Sequence, residues 1–174
     1  MKNTIVKYGL ISGALSAGGI LIITLIFKSY GFDKVGFENS AYIGYSLIIL
    51  SMAVIFFGIK AYRDNENQGQ VSFKNGLLIG LGIALISCVC YSLMWLVVYY
   101  NFMPNFMDDY ADFSIKKLKE SGASEVELAK NQAELQQFKD LYKTPLGVFA
   151  VTLMEPLPVG ILGALVSAFI LKKK

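Results

Sequence analysis

The sequence predicts an all-α integral membrane protein: a four-helix bundle with an extramembrane helical hairpin between the third and fourth spans. Three observations carry that prediction. Hydrophobic residues fill 55% of the 174 positions and charged residues only 17%. The charges are bunched, which leaves four long apolar runs, each near the roughly 20 residues that a helix needs to cross a hydrocarbon core about 30 Å thick. Hydrocarbon also offers nothing to backbone N–H and C=O groups, so such runs must satisfy them internally, as helices.

The first run, 8–27, follows Lys2 and Lys7 as a secretory signal would. It is longer than a signal core and no small-x-small cleavage site follows Phe27, so it reads as a retained helix. The second run is 41–59. The third, 75–103, exceeds the need and must tilt or project beyond the lipid. Phe102, Phe106, Tyr110 and Phe113 recur at helical spacing and favour projection, with Pro104 as a place to bend. The fourth run, 146–171, is the one that holds a charged residue, Glu155.

Residues 104–145 form the water-facing part, an extracytoplasmic helical segment with six lysines and eight acidic residues among positions 105–144. Ser121, Gly122 and Ala123 divide it. Ser124 and Glu127 have the spacing of a capping box, in which each side chain satisfies an amide at the helix start. Leu128, Leu135, Phe138 and Tyr142 then form one narrow apolar stripe on the helix that follows.

An even number of spans puts the N-terminus, the 60–74 loop and the C-terminus on one side. Those short flanks carry Lys2, Lys7, Lys60, Arg63, Lys74 and Lys172 to Lys174, whereas the basic residues opposite are spread over a long segment that opens with Asp108, Asp109 and Asp112. Dense short basic flanks face the cytoplasm, so both termini are expected inside.

Every span carries a stripe of small residues. Gly9 with Gly13 and Gly76 with Gly80 are GxxxG pairs; Gly44, Ser51 and Gly58 fall seven apart; Gly160, Ala164 and Ala168 fall four apart. Lipid tails are as apolar as leucine, so helices associate where small side chains let backbones approach. A tightly packed bundle follows, with self-association through a leftover stripe as an option. The starts of the first and third spans, from Lys7 and Lys74, also match at an offset of 67, as two related helical hairpins would.

Glu155 lies roughly 13 Å into its span at the helical rise, where a charge costs on the order of 3 kcal/mol on insertion scales. Pro156 and Pro158 follow at once, and two prolines so placed should break the helix and free carbonyls near Val151 to Met154. Two readings stay open. In one, Glu155, Thr152 and the freed carbonyls form a proton or cation site. In the other the glutamate bonds Tyr45, Ser46 or Tyr91 at a structural kink. The loop with Lys60, Tyr62, Arg63 and Asp64 is either a gate or docking point, or a turn whose long side chains snorkel to the headgroups.

There is no histidine, and Cys88 and Cys90 both lie in the third span, facing different sides. The usual zinc, serine-histidine and cysteine-histidine arrangements cannot form. No phosphate-binding or dinucleotide loop occurs. The expectation is therefore no enzyme, no catalytic residue, no cofactor and no metal site. The net charge of +3 lies at span ends rather than on one face, which argues against nucleic acid. The expected partners are the lipid bilayer and either further copies of the chain or another membrane protein.

Gly44-Tyr45, the stretch Phe57 to Asp64 with Gly69, Val71, Ser72 and Phe73, then Pro104, Phe106 and Tyr110, and the end from Thr152 to Lys174 resemble the bacterial membrane-protein family called domain of unknown function 4199. The Gly-Ile-Lys-x-Tyr-Arg-Asp loop and the Glu155-Pro156-Leu157-Pro158-Val159-Gly160 turn are the most specific parts. The resemblance implies four spans with a helical segment between the third and fourth, and no activity. The expected role is a non-catalytic accessory, assembly or scaffold protein of the bacterial inner membrane; the alternative is a small transporter or channel working through Glu155.

Overall fold

A computed structural model describes residues 1–30 and 37–173 of the chain; Lys174, part of the expected basic stop, lies outside them. Among the described residues eight α-helices follow one another: α1 (Lys2–Tyr30), α2 (Phe37–Met52), α3 (Val54–Ala61), α4 (Phe73–Phe102), α5 (Phe106–Glu120), α6 (Glu125–Leu141), α7 (Pro145–Met154) and α8 (Leu157–Leu171). A π-helical turn, Tyr62–Glu66, extends α3. Among the described residues four stretches are long and apolar enough to cross a membrane: Lys2–Ser29, Ala41–Glu66, Phe73–Phe102 and Pro145–Leu171. Their outward faces are apolar, with Leu25, Leu50 and Phe169 more than 60% exposed, a surface that water would not tolerate over such an area and lipid would. The chain is a helical-bundle membrane protein.

The helix ends follow local chemistry. Ser72 Oγ accepts the Asn75 amide at 3.2 Å to start α4. Thr144 Oγ1 accepts the Gly147 amide at 3.1 Å, with Pro145 in the first turn of α7. After α5 the Gly122 amide donates to the Lys119 carbonyl and the Ala123 amide to that of Leu118. With Gly122 at φ +77°, this closes the helix in a Schellman turn. Ser124 and Glu127 make the capping box in full. The hairpin of α5 and α6 is clasped by Lys139, whose ammonium sits 2.7 Å from Asp108. Leu135 is buried on the expected stripe, but Phe138 is about half exposed.

The third span does not run on as a single helix. It stops at Phe102, and after Met103, Pro104 and Asn105 a new helix begins at Phe106. Proline has no amide to donate, and the ladder closes instead with the Met103 amide on the Val98 carbonyl. One ring contact bridges the break, Trp95 meeting Phe106 edge to face at 4.9 Å, and within α5 Phe106 stacks on Tyr110 at 6.2 Å.

Small residues set the packing of the half of the bundle nearest the termini. Gly76, Gly80 and Ala84 of α4 lie against Ala168, Ala164 and Gly160 of α8 in antiparallel register. A Cβ on Gly80 would come 2.7 Å from that of Ala164, and one on Gly76 3.2 Å from that of Ala168. Gly9 and Gly13 of α1 receive Ile86 and Cys90 of α4 in parallel register. The two GxxxG pairs thus serve different contacts, one against the alanines of α8 and one against Ile86 and Cys90 of α4, so the matching span starts do not pack as equivalent halves. Ser12 Oγ donates to the Ser51 carbonyl at 2.8 Å and pairs with the Ser87 hydroxyl at 2.9 Å, joining three spans at one buried point.

The other half of the bundle is looser than the small-residue stripes suggest. The second span is interrupted at Ala53. Below the interruption α3 packs on α1, α4 and α8; above it α2 leans chiefly on α1. Gly44, expected in a packing stripe with Ser51 and Gly58, has open space where a Cβ would stand, whereas one on Gly58 would meet Ile83 and Tyr8.

At the termini end, Val71 and Lys173 exchange both backbone hydrogen bonds, at 3.0 and 2.9 Å. Thr4 donates its hydroxyl to Glu66, and Arg63 pairs with its neighbour Asp64 at 2.7 Å. The first span, the 60–74 loop and the end of the fourth span are thereby tied at one end of the molecule.

Candidate functional site

The splaying of α2 leaves a cavity of about 260 Å³ in the hairpin half of the bundle. Its walls come from the later part of α1 (Ile20, Thr24, Phe27), the early part of α2 (Gly44, Tyr45), the later part of α4 (Tyr91, Trp95), Met103 just beyond it, Phe106 of α5, and Tyr142. Glu155, at the junction of α7 and α8, lines it too.

The proline pair explains why a carboxylate can look into this space. Pro156 and Pro158 donate no amide, so the carbonyls of Thr152 and Met154 lose their helical partners. The Glu155 amide turns back to the Thr152 carbonyl at 3.3 Å, and α8 starts afresh at Leu157. Pro156 is buried while Pro158 is exposed. Glu155, placed at the end of α7 rather than inside a continuous helix, takes a hydrogen bond from the Tyr91 hydroxyl at 3.0 Å, and its residue surface stays open. Tyr45 lies within electrostatic reach of it.

Thr152 stands apart from that arrangement. It is buried, and its hydroxyl donates to the Val148 carbonyl of its own helix at 2.7 Å, as threonines in helices often do. The Tyr142 phenol lies beside Thr152 and Trp95. Burial, with a smaller push from Glu155, holds that phenol above its ordinary pKa, so it remains a neutral hydroxyl. The Trp95 indole N–H is buried there too, and makes no hydrogen bond of good geometry among the described residues. Among the described residues no three Cys, Asp or Glu side chains converge on a metal-sized site.

The remaining residues singled out by the sequence lie elsewhere. Lys60, Tyr62, Arg63 and Asp64 belong to the π-helical turn and its approach, at the termini end. Gly9, Gly13, Gly76, Gly80, Gly160 and Ala164 sit in the helix contacts already described. Sequence reasoning named Tyr45, Ser46 or Tyr91 as partners for Glu155; Tyr91 is one, whereas the Ser46 hydroxyl donates to the Tyr42 carbonyl of its own helix at 2.7 Å, and Thr24, Trp95 and Tyr142 were not found as neighbours of that space. The one usable signal was that Trp95, Tyr99 and Phe102 crowd the end of the third span, where Tyr142 packs edge to face on Tyr99 at 5.3 Å.

Over residues 7–173 the chain matches the family described as Protein of unknown function (DUF4199). The chain belongs to that family. Neither the curated proteins nor the solved structures gave a match. Membership of the family thus covers both the cavity and the Glu155 turn, and it brings no activity with it.

Proposed function

We propose that the chain is a non-catalytic accessory protein of the bacterial inner membrane whose working part is the hairpin-side cavity, where it takes up a small membrane-soluble molecule. Both termini and the 60–74 loop lie in the cytoplasm on this reading, and the α5–α6 hairpin outside. The observation that supports it is the cavity of about 260 Å³ lined in part by Glu155, set above a bundle half in which glycine and alanine leave no room for a Cβ. A space open at one level and shut at the next suits holding a ligand better than conducting one. A cavity of roughly 150 Å³ is already enough for benzene.

Trp95, the one tryptophan of the chain, lines the cavity and makes the test direct. Titration of the purified protein with 1-octanol should change its fluorescence saturably. Gly44→Leu, which adds a side chain where there is open space, should remove that response. An equal response in both proteins, or none in the wild type, would refute cavity binding.

A second reading, transport, draws on the helix interruption beside the carboxylate, since broken helices are hinge points in transporters. It requires the small-residue contacts of α4 and α8 to part. Reconstituted protein should then pass protons or cations at a rate that Glu155→Gln abolishes; an unchanged rate rules the mechanism out.

A further inference from the structure

The cavity has a chemical bias that says more than that it is greasy. Six aromatic side chains, Phe27, Tyr45, Tyr91, Trp95, Phe106 and Tyr142, line it together with one carboxylate, Glu155. Among the described residues no lysine or arginine lines it; Lys28, the nearest candidate at that end of α1, is turned 5.8 Å over the ring of Phe102. The faces of aromatic rings are electron-rich and attract cations, Trp most of all, and the attraction grows where water is excluded. Among the described residues the rest of the wall is Ile20, Ile23, Thr24, Ala41, Gly44 and Met103, none of which supplies a counter-charge to an acid, and lipid tails supply none either.

From this we infer that the cavity is a binding site for an organic ammonium ion: the cationic head lies against the rings of Trp95, Tyr45 and Phe106, and Glu155 supplies the opposite charge. The inference rests on the cavity-binding reading above and adds the ligand's charge to it. Tyr91 is a positioning residue, because its hydroxyl holds Glu155 Oε2 at 3.0 Å and leaves the other carboxylate oxygen for the ligand. The space of about 260 Å³ admits a trimethylammonium group and a short part of whatever it is attached to. Met103 and Phe106 stand at the hairpin end of the wall, so with the head group held at Glu155 any tail points toward the hairpin or the bilayer. The same head could come from a water-soluble amine or from a cationic amphiphile dissolved in the membrane; the chemistry recognised is shared.

The experiment compares charged ligands with neutral ligands of the same shape, read through Trp95 emission of the full chain in dodecyl maltoside. Choline is paired with 3,3-dimethylbutanol, and dodecyltrimethylammonium with dodecanol. In at least one pair the cation should bind about tenfold or more tightly than its neutral partner, the scale of a desolvated cation–aromatic contact. A preference in the choline pair marks a water-soluble source, and a preference confined to the dodecyl pair marks a membrane one. Glu155→Gln should abolish the preference, and circular dichroism should show the variant as helical as the wild type. Tyr91→Phe, which keeps the ring and frees the carboxylate, should reduce the preference only in part. Equal binding within both pairs, or a preference that survives Glu155→Gln, overturns the inference while cavity binding stands. If no member of either pair perturbs Trp95, and Gly44→Leu behaves as the wild type does, cavity binding itself fails.

Discussion

Gly80 and Gly18 are both interior to transmembrane helices, and their surroundings give them opposite sensitivities. A side chain at Gly80 meets the Ala164 Cβ at 2.7 Å and its Cα at 3.0 Å, so the backbone of α8 would have to retreat; at Gly18 nothing lies within 4 Å. Gly80→Val should therefore destabilise the protein by about 1–3 kcal/mol, the usual cost of forcing atoms into a full interior. Gly18→Ala should leave stability unchanged or raise it by up to about 1 kcal/mol, because alanine loses less backbone freedom on forming helix. Thermal unfolding in detergent checks both, and an equal fall in Tm for the two variants would count against the packing argument. At this scale the sequence singles out Glu155 by chemistry alone, since a lone acid in an apolar run stands out. It does not reveal that Thr152 turns back onto its own helix or that Gly44 faces open space. A four- or seven-residue spacing says which residues share a stripe and leaves open what the stripe meets.

The capping box that opens α6 is the clearest case of an element written in its own sequence. Ser124 accepts the Glu127 amide at 3.3 Å, and Glu127 accepts the Ser124 amide at 2.9 Å. Ser124→Ala should weaken the first turn by about 1 kcal/mol, seen as faster amide exchange over residues 125–128 with the four spans unaffected. The Ser124 amide and hydroxyl together hold the Glu127 carboxyl below its usual range. A carboxyl whose pKa is lowered by folding stabilises the fold fully above its unfolded value, about 4.3, and the stabilisation is lost as pH falls through the folded value. Protection of that turn should thus be flat down to about pH 5 and drop below it, and Glu127→Gln should flatten the drop. The end of the third span was less legible for the opposite reason. Phe102, Phe106 and Tyr110 keep helical spacing through a stretch where Pro104 ends one helix and another begins, so periodicity there does not report the backbone between them.

For the molecule as a whole, the number of spans was readable because hydrocarbon thickness sets a length and backbone polarity forbids anything but helix across it. The loose hairpin half was not, because it depends on where the second span is interrupted at Ala53 and on how far α2 then leans from α4, neither of which has a local signature. Orientation rests on basic residues in short flanks. In a background with Cys88→Ala and Cys90→Ala, a membrane-impermeant thiol reagent added outside the cell should label Lys130→Cys in the α5–α6 hairpin and miss Asn67→Cys in the 60–74 loop. The reverse pattern would invert the topology.

The contact between α4 and α8 is also self-similar. Its small residues recur every four positions on both helices, so sliding one helix by a turn would again set glycine or alanine against glycine or alanine. The stripe accordingly sets how close the two helices lie and says little about their axial alignment. That alignment is carried by two contacts that do not repeat: the Val71–Lys173 backbone pair at one end and the Tyr91–Glu155 hydrogen bond toward the other. Like the two scales of a vernier, the fourth span has a fine repeat that fits at many settings and a pair of end marks that choose one, and the acid in the cavity is one of those marks.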